Sequence, residues 1–530
     1  MKTTTRKITT LVLIIAILVI ALNVLTLVAC SKDTAAVVDP AATTQGSGEG
    51  TTDGGSTDTF KATAEQEYFY NDYNAQSNAD TTRQGVNTFE NKDIVFDAVT
   101  YEELIYLLQQ EGNYLILLGG SWCHNTRAAA TYINEFAHQY GITKIYNFDF
   151  FLDGTNSNTH VRVTNPTDPS ATKNAGQEYN HLYGELVSRY LTNLNDWVEY
   201  KEGSASSLTY TNADGQDVNV AKVQVPFLFL YNKDNTVRST YNLETKTVES
   251  AQAEDGVKYP IVTGFEEMVD RDAQGVYTST YKFENGKYVI DQKNYITDAY
   301  KARLKRVFDY IKDNNVTLST YSDADYIRQA YNEKSGREIF AADKQINFQV
   351  LNYKQFDWLL QQEGDYIILF AGSWCGNTQA IIDIVNDYAV EHNVTVYTFD
   401  TKLDGGYARK YWTTNTSTNR YADAHIREND KTLTPLYASI ISNYLTNIVT
   451  LNDLEASPKK ISYTVNERTI SVNRLQVPFF FSYNKDNKSG DEEAPIIKSL
   501  EIMLFYGYST QEAFADYAAK TAEVFESINK

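Results

Sequence analysis

Cysteine, methionine and histidine are scarce in this chain, with 3, 3 and 6 copies among 530 residues. The cysteines are Cys30, Cys123 and Cys375, so no segment can form a Cys-x-x-Cys pair. The histidines show no spacing typical of metal ligands, and we therefore expect no metal site and no cofactor. No phosphate-binding loop and no hydrolase nucleophile elbow is present, which excludes the enzyme classes that those motifs define.

Basic residues are also few, with 47 Lys and Arg against 68 Asp and Glu and a net charge of −21. No run of Lys or Arg occurs after the first seven residues. This pattern argues against nucleic-acid partners and against electrostatic attachment to anionic lipid. The acidity is typical of a soluble surface and indicates no particular partner.

The N-terminus has the pattern of a secretory signal. Lys2, Arg6 and Lys7 precede an apolar stretch that ends in Leu-Val-Ala before Cys30. This ending resembles the lipobox of bacterial lipoproteins. The resemblance implies that residues 1–29 are a signal peptide and that Cys30 carries the lipid anchor, outside the cytoplasm. An uncleaved membrane helix is the alternative, since the apolar run is nearly long enough to span a bilayer.

Residues 30–64 are rich in Gly, Ser, Thr, Ala and Asp. Such a composition buries too little apolar surface to order itself, so this segment is predicted to be a flexible tether. The whole chain is 42% hydrophobic, and at 530 residues it is long enough for two or three domains.

An internal duplication divides the remaining chain. The segment Leu107–Thr126 reads LLQQEGNYLILLGGSWCHNT, and Leu359–Thr378 reads LLQQEGDYIILFAGSWCGNT. A second pair, VQVPFLFLYNKDN and LQVPFFFSYNKDN, keeps the same offset of 252 residues. We therefore predict two domains, 65–316 and 317–530. Domain 1 has about 35 extra residues, and within them 277–290 alternates like a small hairpin.

The sequence pattern predicts the same order of helices and strands in both repeats. A short helix leads to an apolar strand, Tyr114–Leu118 or Tyr366–Phe370, and the cysteine follows at the start of an amphipathic helix. A strand, a helical insertion, a strand that begins after Val-Pro, a last strand and a closing helix complete the repeat. Alternating β and α elements predict an α/β sheet covered by helices.

The cysteine motifs and the later Val-Pro pairs carry a resemblance to a known family. The residues are Trp122, Cys123 and Thr126 with Val225 and Pro226, and Trp374, Cys375 and Thr378 with Val477 and Pro478. This combination resembles the thioredoxin superfamily. The resemblance implies two tandem thioredoxin-like domains, with cis prolines that face the cysteines and with helical insertions between the cysteine helix and the cis-proline strand.

A cysteine at a helix N-terminus lies at the positive end of the helix dipole, which favours the thiolate. We therefore expect Cys123 and Cys375 to be exposed thiols with lowered pKa values. His124 would add to this effect when protonated, although an exposed polar role is the alternative because repeat two has Gly376 there.

Both repeats depart from the family at the second cysteine. Thr126 and Thr378 replace it, and Leu117 and Leu369 stand where the family has a buried acid. A threonine hydroxyl can hydrogen-bond the sulfur but cannot attack a mixed disulfide. A two-electron cycle within one domain is therefore excluded.

Three interpretations remain open. In the first, each domain is a monothiol exchanger that forms mixed disulfides with client proteins and needs an external thiol reductant. In the second, the sites are degenerate and the groove beside Pro226 or Pro478 binds extended peptide by strand addition. In the third, Cys123 and Cys375 form a disulfide with each other.

Aspartates recur in both copies as Phe-Asp-x-x-Leu-Asp-Gly, at Asp149, Asp153, Asp400 and Asp404. They could line the cysteine face or bind calcium. Aspartates in such positions more often cap helices or end strands, which is the role we favour.

Overall fold

A computed structural model describes residues 62–79, 88–155, 157–162, 179–266, 282–284, 287–289, 297–407, 423–427, 433–454, 459–465 and 468–528. All of them belong to one unit, Lys61–Lys530. The predicted signal peptide, Cys30 and nearly all of the tether lie outside the described residues. No helix in the described ranges combines the length and the apolar character needed to cross a membrane.

The described elements follow the same order in both repeats. In repeat one they are α1 (Ala64–Ala79), β1 (Phe96–Ala98), α2 (Tyr101–Leu107), β2 (Tyr114–Leu118), α3 (His124–Gln139), β3 (Ile145–Phe148), α4 (Asn180–Arg189), β4 (Ser207–Thr211), β5 (Asp217–Ala221), β6 (Phe227–Tyr231), β7 (Ser239–Asn242), β8 (Thr247–Ser250), β9 (Ile261–Glu266), β10 (Lys282–Glu284), β11 (Lys287–Val289) and α5 (Asp298–Asp313). In repeat two they are α6 (Asp323–Ser335), β12 (Phe348–Leu351), α7 (Tyr353–Leu359), β13 (Tyr366–Phe370), α8 (Gly376–Glu391), β14 (Val396–Phe399), α9 (Thr434–Asn443), β15 (Lys460–Val465), β16 (Arg468–Asn473), β17 (Phe479–Tyr483), β18 (Lys488–Ser489), β19 (Glu492–Glu493), β20 (Ile496–Leu500) and α10 (Gln511–Glu526).

Each repeat builds a five-stranded mixed sheet flanked by helices, so the predicted α/β class is correct. The strand order is β1-β3-β2-β6-β9 in the first sheet and β12-β14-β13-β17-β20 in the second. The first three strands of each order are parallel, and the last two run antiparallel to their neighbours. The central strands β2 and β6 are buried along their whole length, as their uninterrupted apolar sequences require.

The register of the central strands positions the candidate site. Leu118, at the end of β2, lies opposite Phe227, at the start of β6. In the second sheet Phe370 lies opposite Phe479 in the same way. The loop that carries the cysteine and the residues that precede β6 or β17 therefore emerge at the same edge of the sheet.

Local sequence explains where the short helices begin. Thr100 and Glu103 form a capping box at the start of α2, and Asn352 and Gln355 form one at the start of α7. In a capping box, each side chain satisfies a backbone N–H that would otherwise lack a partner. Glu102 lies between the two residues of the first box, and Lys354 lies between those of the second.

The insertion between the cysteine helix and the proline strand contains the predicted helix, α4 or α9, but also an antiparallel hairpin that the sequence analysis missed. The hairpins are β4–β5 and β15–β16. The additional residues of repeat one include the hairpin β7–β8 and the antiparallel pair β10–β11. The last pair lies within 277–290, so the hairpin predicted there is confirmed.

The first helix of each repeat packs against the other repeat. Tyr68 of α1 contacts Trp358 of α7, with ring centroids 5.9 Å apart. Tyr326 of α6 contacts Tyr106 of α2, with centroids 5.8 Å apart. One cluster of buried apolar side chains accordingly includes residues from both repeats.

Candidate functional site

Each cysteine is the N-cap residue of a 16-residue helix. Cys123 precedes α3 with φ −86° and ψ 119°, and Cys375 precedes α8 with φ −92° and ψ 115°. Neither side chain makes a capping hydrogen bond to its helix. The sulfurs therefore belong to residues at the positive end of a helix dipole.

The Val-Pro pairs lie directly against the cysteines. The Val225–Pro226 and Val477–Pro478 peptide bonds are both cis, as the family resemblance implies. Cys123 Sγ donates to the carbonyl oxygen of Val225 at 3.5 Å, and Cys375 Sγ donates to that of Val477 at 3.2 Å. Cysteine and proline loop thus form one site in each repeat, although they are about a hundred residues apart in sequence.

The cysteines are less accessible than expected. Cys123 is 8% exposed and Cys375 is 9% exposed. The expectation of exposed thiols is therefore wrong. The reason is that each sulfur faces the carbonyl of the cis-proline loop, and the two valines of that loop are buried as well.

Thr126 and Thr378 do not bond the sulfurs. Both side chains are fully buried, and neither Oγ1 has a hydrogen-bond partner. The hydrogen bond that each threonine hydroxyl could make to its sulfur is therefore absent. Thr126 instead packs toward Gly119, where a Cβ would lie 2.9 Å from its Cγ2 and its Oγ1.

The tryptophan before each cysteine is held by a half-buried aspartate. Trp122 Nε1 donates to Asp149 Oδ1 at 2.7 Å, and Trp374 Nε1 donates to Asp400 Oδ1 and Oδ2 at 3.0 and 2.9 Å. Burial raises the pKa of Asp149 to about 6 and that of Asp400 to about 7. The repeated motif signalled these aspartates, but sequence alone did not reveal that tryptophan is their partner.

The second aspartate of the motif shapes the loop that follows. Asp153 accepts a hydrogen bond from the Thr159 hydroxyl and one from the backbone N–H of Thr155 at 3.3 Å. Asp404 accepts from the backbone N–H groups of Gly406 and Ala424, each at 3.2 Å. These contacts support the structural role that we favoured for the aspartates. Among the described residues, no group of three or more His, Cys, Asp or Glu side chains could hold a metal ion.

Two tyrosines fix the strand that leads to the proline. Tyr183 OH donates to the carbonyl of Ala221 at 2.6 Å and accepts from the N–H of Val223 at 2.8 Å. Tyr437 makes the equivalent bonds to Asn473 and Leu475, at 2.8 and 3.0 Å. The sequence analysis missed both residues. Each is a tyrosine next to an apolar position of the predicted insertion helix, a pattern that is also typical of ordinary core residues.

Two buried arginines contact the same strand. Arg162 Nη1 donates to the carbonyl of Val223, and Arg427 Nη1 donates to that of Leu475 at 2.9 Å. Burial lowers the pKa of Arg162. A recurring His-x-Arg triplet, at 160–162 and 425–427, was the overlooked signal.

A glutamate carboxyl group lies next to each proline loop, half-buried at Glu266 and buried at Glu501. Glu266 Oε1 accepts from the N–H of Gln224, and Glu501 Oε1 accepts from the N–H of Gln476. Burial raises the pKa of Glu266 to about 8 and also raises that of Glu501. The backbone N–H two residues before each proline is therefore already engaged.

Arg127 and Gln379 differ between the two cysteine motifs, but they make equivalent hydrogen bonds. Arg127 Nη1 donates to the carbonyl of Ser121 at 2.5 Å, and Gln379 Nε2 donates to that of Ser373 at 2.6 Å. His124 is half-buried in the first turn of α3, whereas the corresponding Gly376 is exposed. Cys123 and Cys375 are both free, so the third interpretation, a bond between them, is not realised.

No protein-family model and no curated protein matches the chain. Among solved structures, the chain is similar to crystal structures of ERdj5 form II, with 8% identity and a TM-score of 0.14, and form I, with 10% identity and a TM-score of 0.12. These alignments cover 62% and 67% of this chain but only 24% and 30% of ERdj5. TM-scores this low carry no argument, so the candidate site depends on its own geometry.

Proposed function

We propose that this chain is a lipid-anchored protein of the cell envelope, with two tandem thioredoxin-like domains that act as monothiol exchangers on client proteins. Cys123 and Cys375 are the proposed nucleophiles, and Cys30 is the proposed anchor. The observation that carries the proposal is the pairing of a helix-capping cysteine with a cis Val-Pro loop, made twice at 3.5 and 3.2 Å.

The exchange step follows from having one sulfur per site. The thiolate of Cys123 attacks one sulfur of a client disulfide, a new S–S bond forms, and the other client sulfur leaves as a thiolate. Because Thr126 cannot act as a resolving group, an external thiol must attack the mixed disulfide. That attack releases Cys123 as a thiolate and leaves the client sulfur bonded to the external thiol.

A redox-inactive module that binds peptides is the second candidate, and the low exposure of both sulfurs favours it. In that function an extended peptide would add to the edge beside Pro226 or Pro478. The backbone N–H groups of Gln224 and Gln476 already donate to Glu266 and Glu501. They are therefore not free to bind a peptide, which disfavours this function.

Reaction with oxidised glutathione separates the two candidates. The native mature chain is incubated with this disulfide at neutral pH, and adducts at Cys123 and Cys375 are assigned by peptide mass spectrometry. We expect one glutathione per site, complete loss of the adduct at the substituted position in Cys123→Ala and in Cys375→Ala, and release of the adducts by dithiothreitol.

The denatured chain is the control for this experiment, since unfolding exposes both thiols whatever their native environment. If denatured chain forms both adducts while native chain forms neither, the exchange function is wrong and the binding function stands.

A further inference from the structure

Two charged residues of opposite sign occupy the same position in the two repeats. Glu102 is the second residue of α2, and Lys354 is the second residue of α7. Both side chains leave their own repeat and end beside the cysteine loop of the other one.

Lys354 reaches the loop that precedes Cys123. Its Nζ donates to Ser121 Oγ at 2.8 Å and pairs with Asp72 Oδ1 of α1 at 2.7 Å. Ser121 is two residues before Cys123 and belongs to the same loop. The lysine stem passes over Gly154, where a Cβ would lie 2.4 Å from Lys354 Cδ.

Glu102 makes the reciprocal contact in repeat two. Ser373 Oγ donates to Glu102 Oε2 at 3.1 Å, and Tyr326 OH donates to the same oxygen at 2.7 Å. Lys334 of α6 pairs with Glu102 and donates to Ser373 Oγ and to the carbonyl of Gly405, both at 2.9 Å. Ser373 is two residues before Cys375, so these hydrogen bonds hold the second cysteine loop in place.

We propose that each cysteine loop is positioned by a charged side chain of the opposite repeat, Lys354 for the site of Cys123 and Glu102 for the site of Cys375. Neither site is complete within its own repeat. The proposal builds on the proposed function in taking these two thiols as the reactive groups, and it assigns Lys354 and Glu102 as positioning residues.

The two aspartate motifs are shaped to admit these side chains. Gly154 and Gly405 both have positive φ, at +78° and +62°, and a Cβ on Gly405 would lie 2.4 Å from Glu102 Oε2. The glycine of each motif therefore gives space to the charged residue that crosses from the other repeat. Lys354 pairs with Asp72 of repeat one and Glu102 pairs with Lys334 of repeat two, so the opposite repeat supplies the ion-pair partner of each crossing side chain.

A crossed alkylation experiment tests this proposal. Full-length mature chain is treated with iodoacetamide, and the rates at Cys123 and Cys375 are measured separately by peptide mass spectrometry. In Lys354→Met we expect the rate at Cys123 to rise about tenfold while the rate at Cys375 is unchanged, since losing a hydrogen bond to a charged group shifts a local opening equilibrium by that order. In Glu102→Gln we expect the rate at Cys375 to rise while the rate at Cys123 is unchanged.

Lys344→Met and Glu111→Gln are the matched controls, since Lys344 pairs with the exposed Asp387 and Glu111 is exposed. Lys354→Arg keeps the charge and should restore most of the protection at Cys123. The proposal is overturned if a variant changes both cysteines equally, changes the cysteine of its own repeat, or changes neither. The two proposals can fail separately. If the wild-type chain does not react with oxidised glutathione but the two variants show the crossed alkylation pattern, the exchange function is wrong and this inference stands.

Discussion

The two repeats share the framework of the cysteine site and differ in the side chains that surround it. Both have the N-cap cysteine, the cis Val-Pro bond and the tryptophan held by a half-buried aspartate. Next to Trp122 lies Phe151, with ring centroids 4.5 Å apart, whereas next to Trp374 lies Lys402, with Nζ 4.1 Å from the ring centroid. The framework sets the geometry of both sites, and the surrounding residues give the second site a cation that the first lacks at this position.

The comparison extends to the glycine of each aspartate motif, and substituting it should have the largest effect. Gly154→Ala and Gly405→Ala each combine an unfavourable positive φ with overlap onto Lys354 or Glu102. We expect each to lower the free energy of unfolding by about 3 kcal/mol in denaturant titrations.

Gly215→Ala is the control for strain alone. Gly215 has φ +79°, but no atom lies within 4 Å of the place where its Cβ would be. Gly215→Ala should lower the free energy of unfolding by about 1 kcal/mol. Equal losses at Gly154, Gly405 and Gly215 would show that the crossing side chains do not need the space that the glycines leave.

The buried threonines test whether the two sites are equivalent in packing. Thr126→Val and Thr378→Val remove a hydroxyl that has no partner, so each should raise the free energy of unfolding by up to about 1 kcal/mol. Thr401→Val, which removes a bond of 3.1 Å to His425 Nε2, should instead destabilise the chain. A loss of stability in only one of the first two variants would contradict the equivalence.

Dependence on pH should distinguish the two aspartates that hold the tryptophans. A buried carboxyl whose pKa is raised in the folded chain keeps a proton that the unfolded chain has released, so stability falls as pH rises through the folded pKa. Between pH 6.5 and 8, Asp400, with a pKa of about 7, should contribute a fall of about 0.8 kcal/mol, and Asp149, with a pKa of about 6, about 0.2 kcal/mol.

Thermal and denaturant unfolding at both pH values would measure this difference. Asp400→Asn should flatten the profile more than Asp149→Asn, because the amide keeps an acceptor for the indole but has no proton to release. Glu266, with a pKa of about 8, contributes a fall in the same direction and is unchanged in both variants. A larger flattening in Asp149→Asn would contradict the assignment.

Much of the local structure was predictable because its signals lie in short, repeated stretches of sequence. The strands Tyr114–Leu118 and Tyr366–Phe370 have the predicted bounds, since an uninterrupted apolar run before a turn leaves few alternatives. The hairpins β4–β5 and β15–β16 were missed because their sequences are polar on one face and lie inside a segment dominated by an apolar helix. The low exposure of the cysteines was also missed, because it depends on a carbonyl that is distant in sequence.

The sequence by itself determined the duplication and the order of the main helices and sheet strands in each repeat, because these follow from hydrophobic periodicity and from motifs that occur twice. Only the tertiary structure decided that Lys354 and Glu102 lie beside the cysteine loops of opposite repeats. Contacts between Lys354 and Ser121, or between Glu102 and Ser373, join segments separated by 233 and 271 residues. Such contacts arise from the packing of whole repeats and leave no local pattern in the chain.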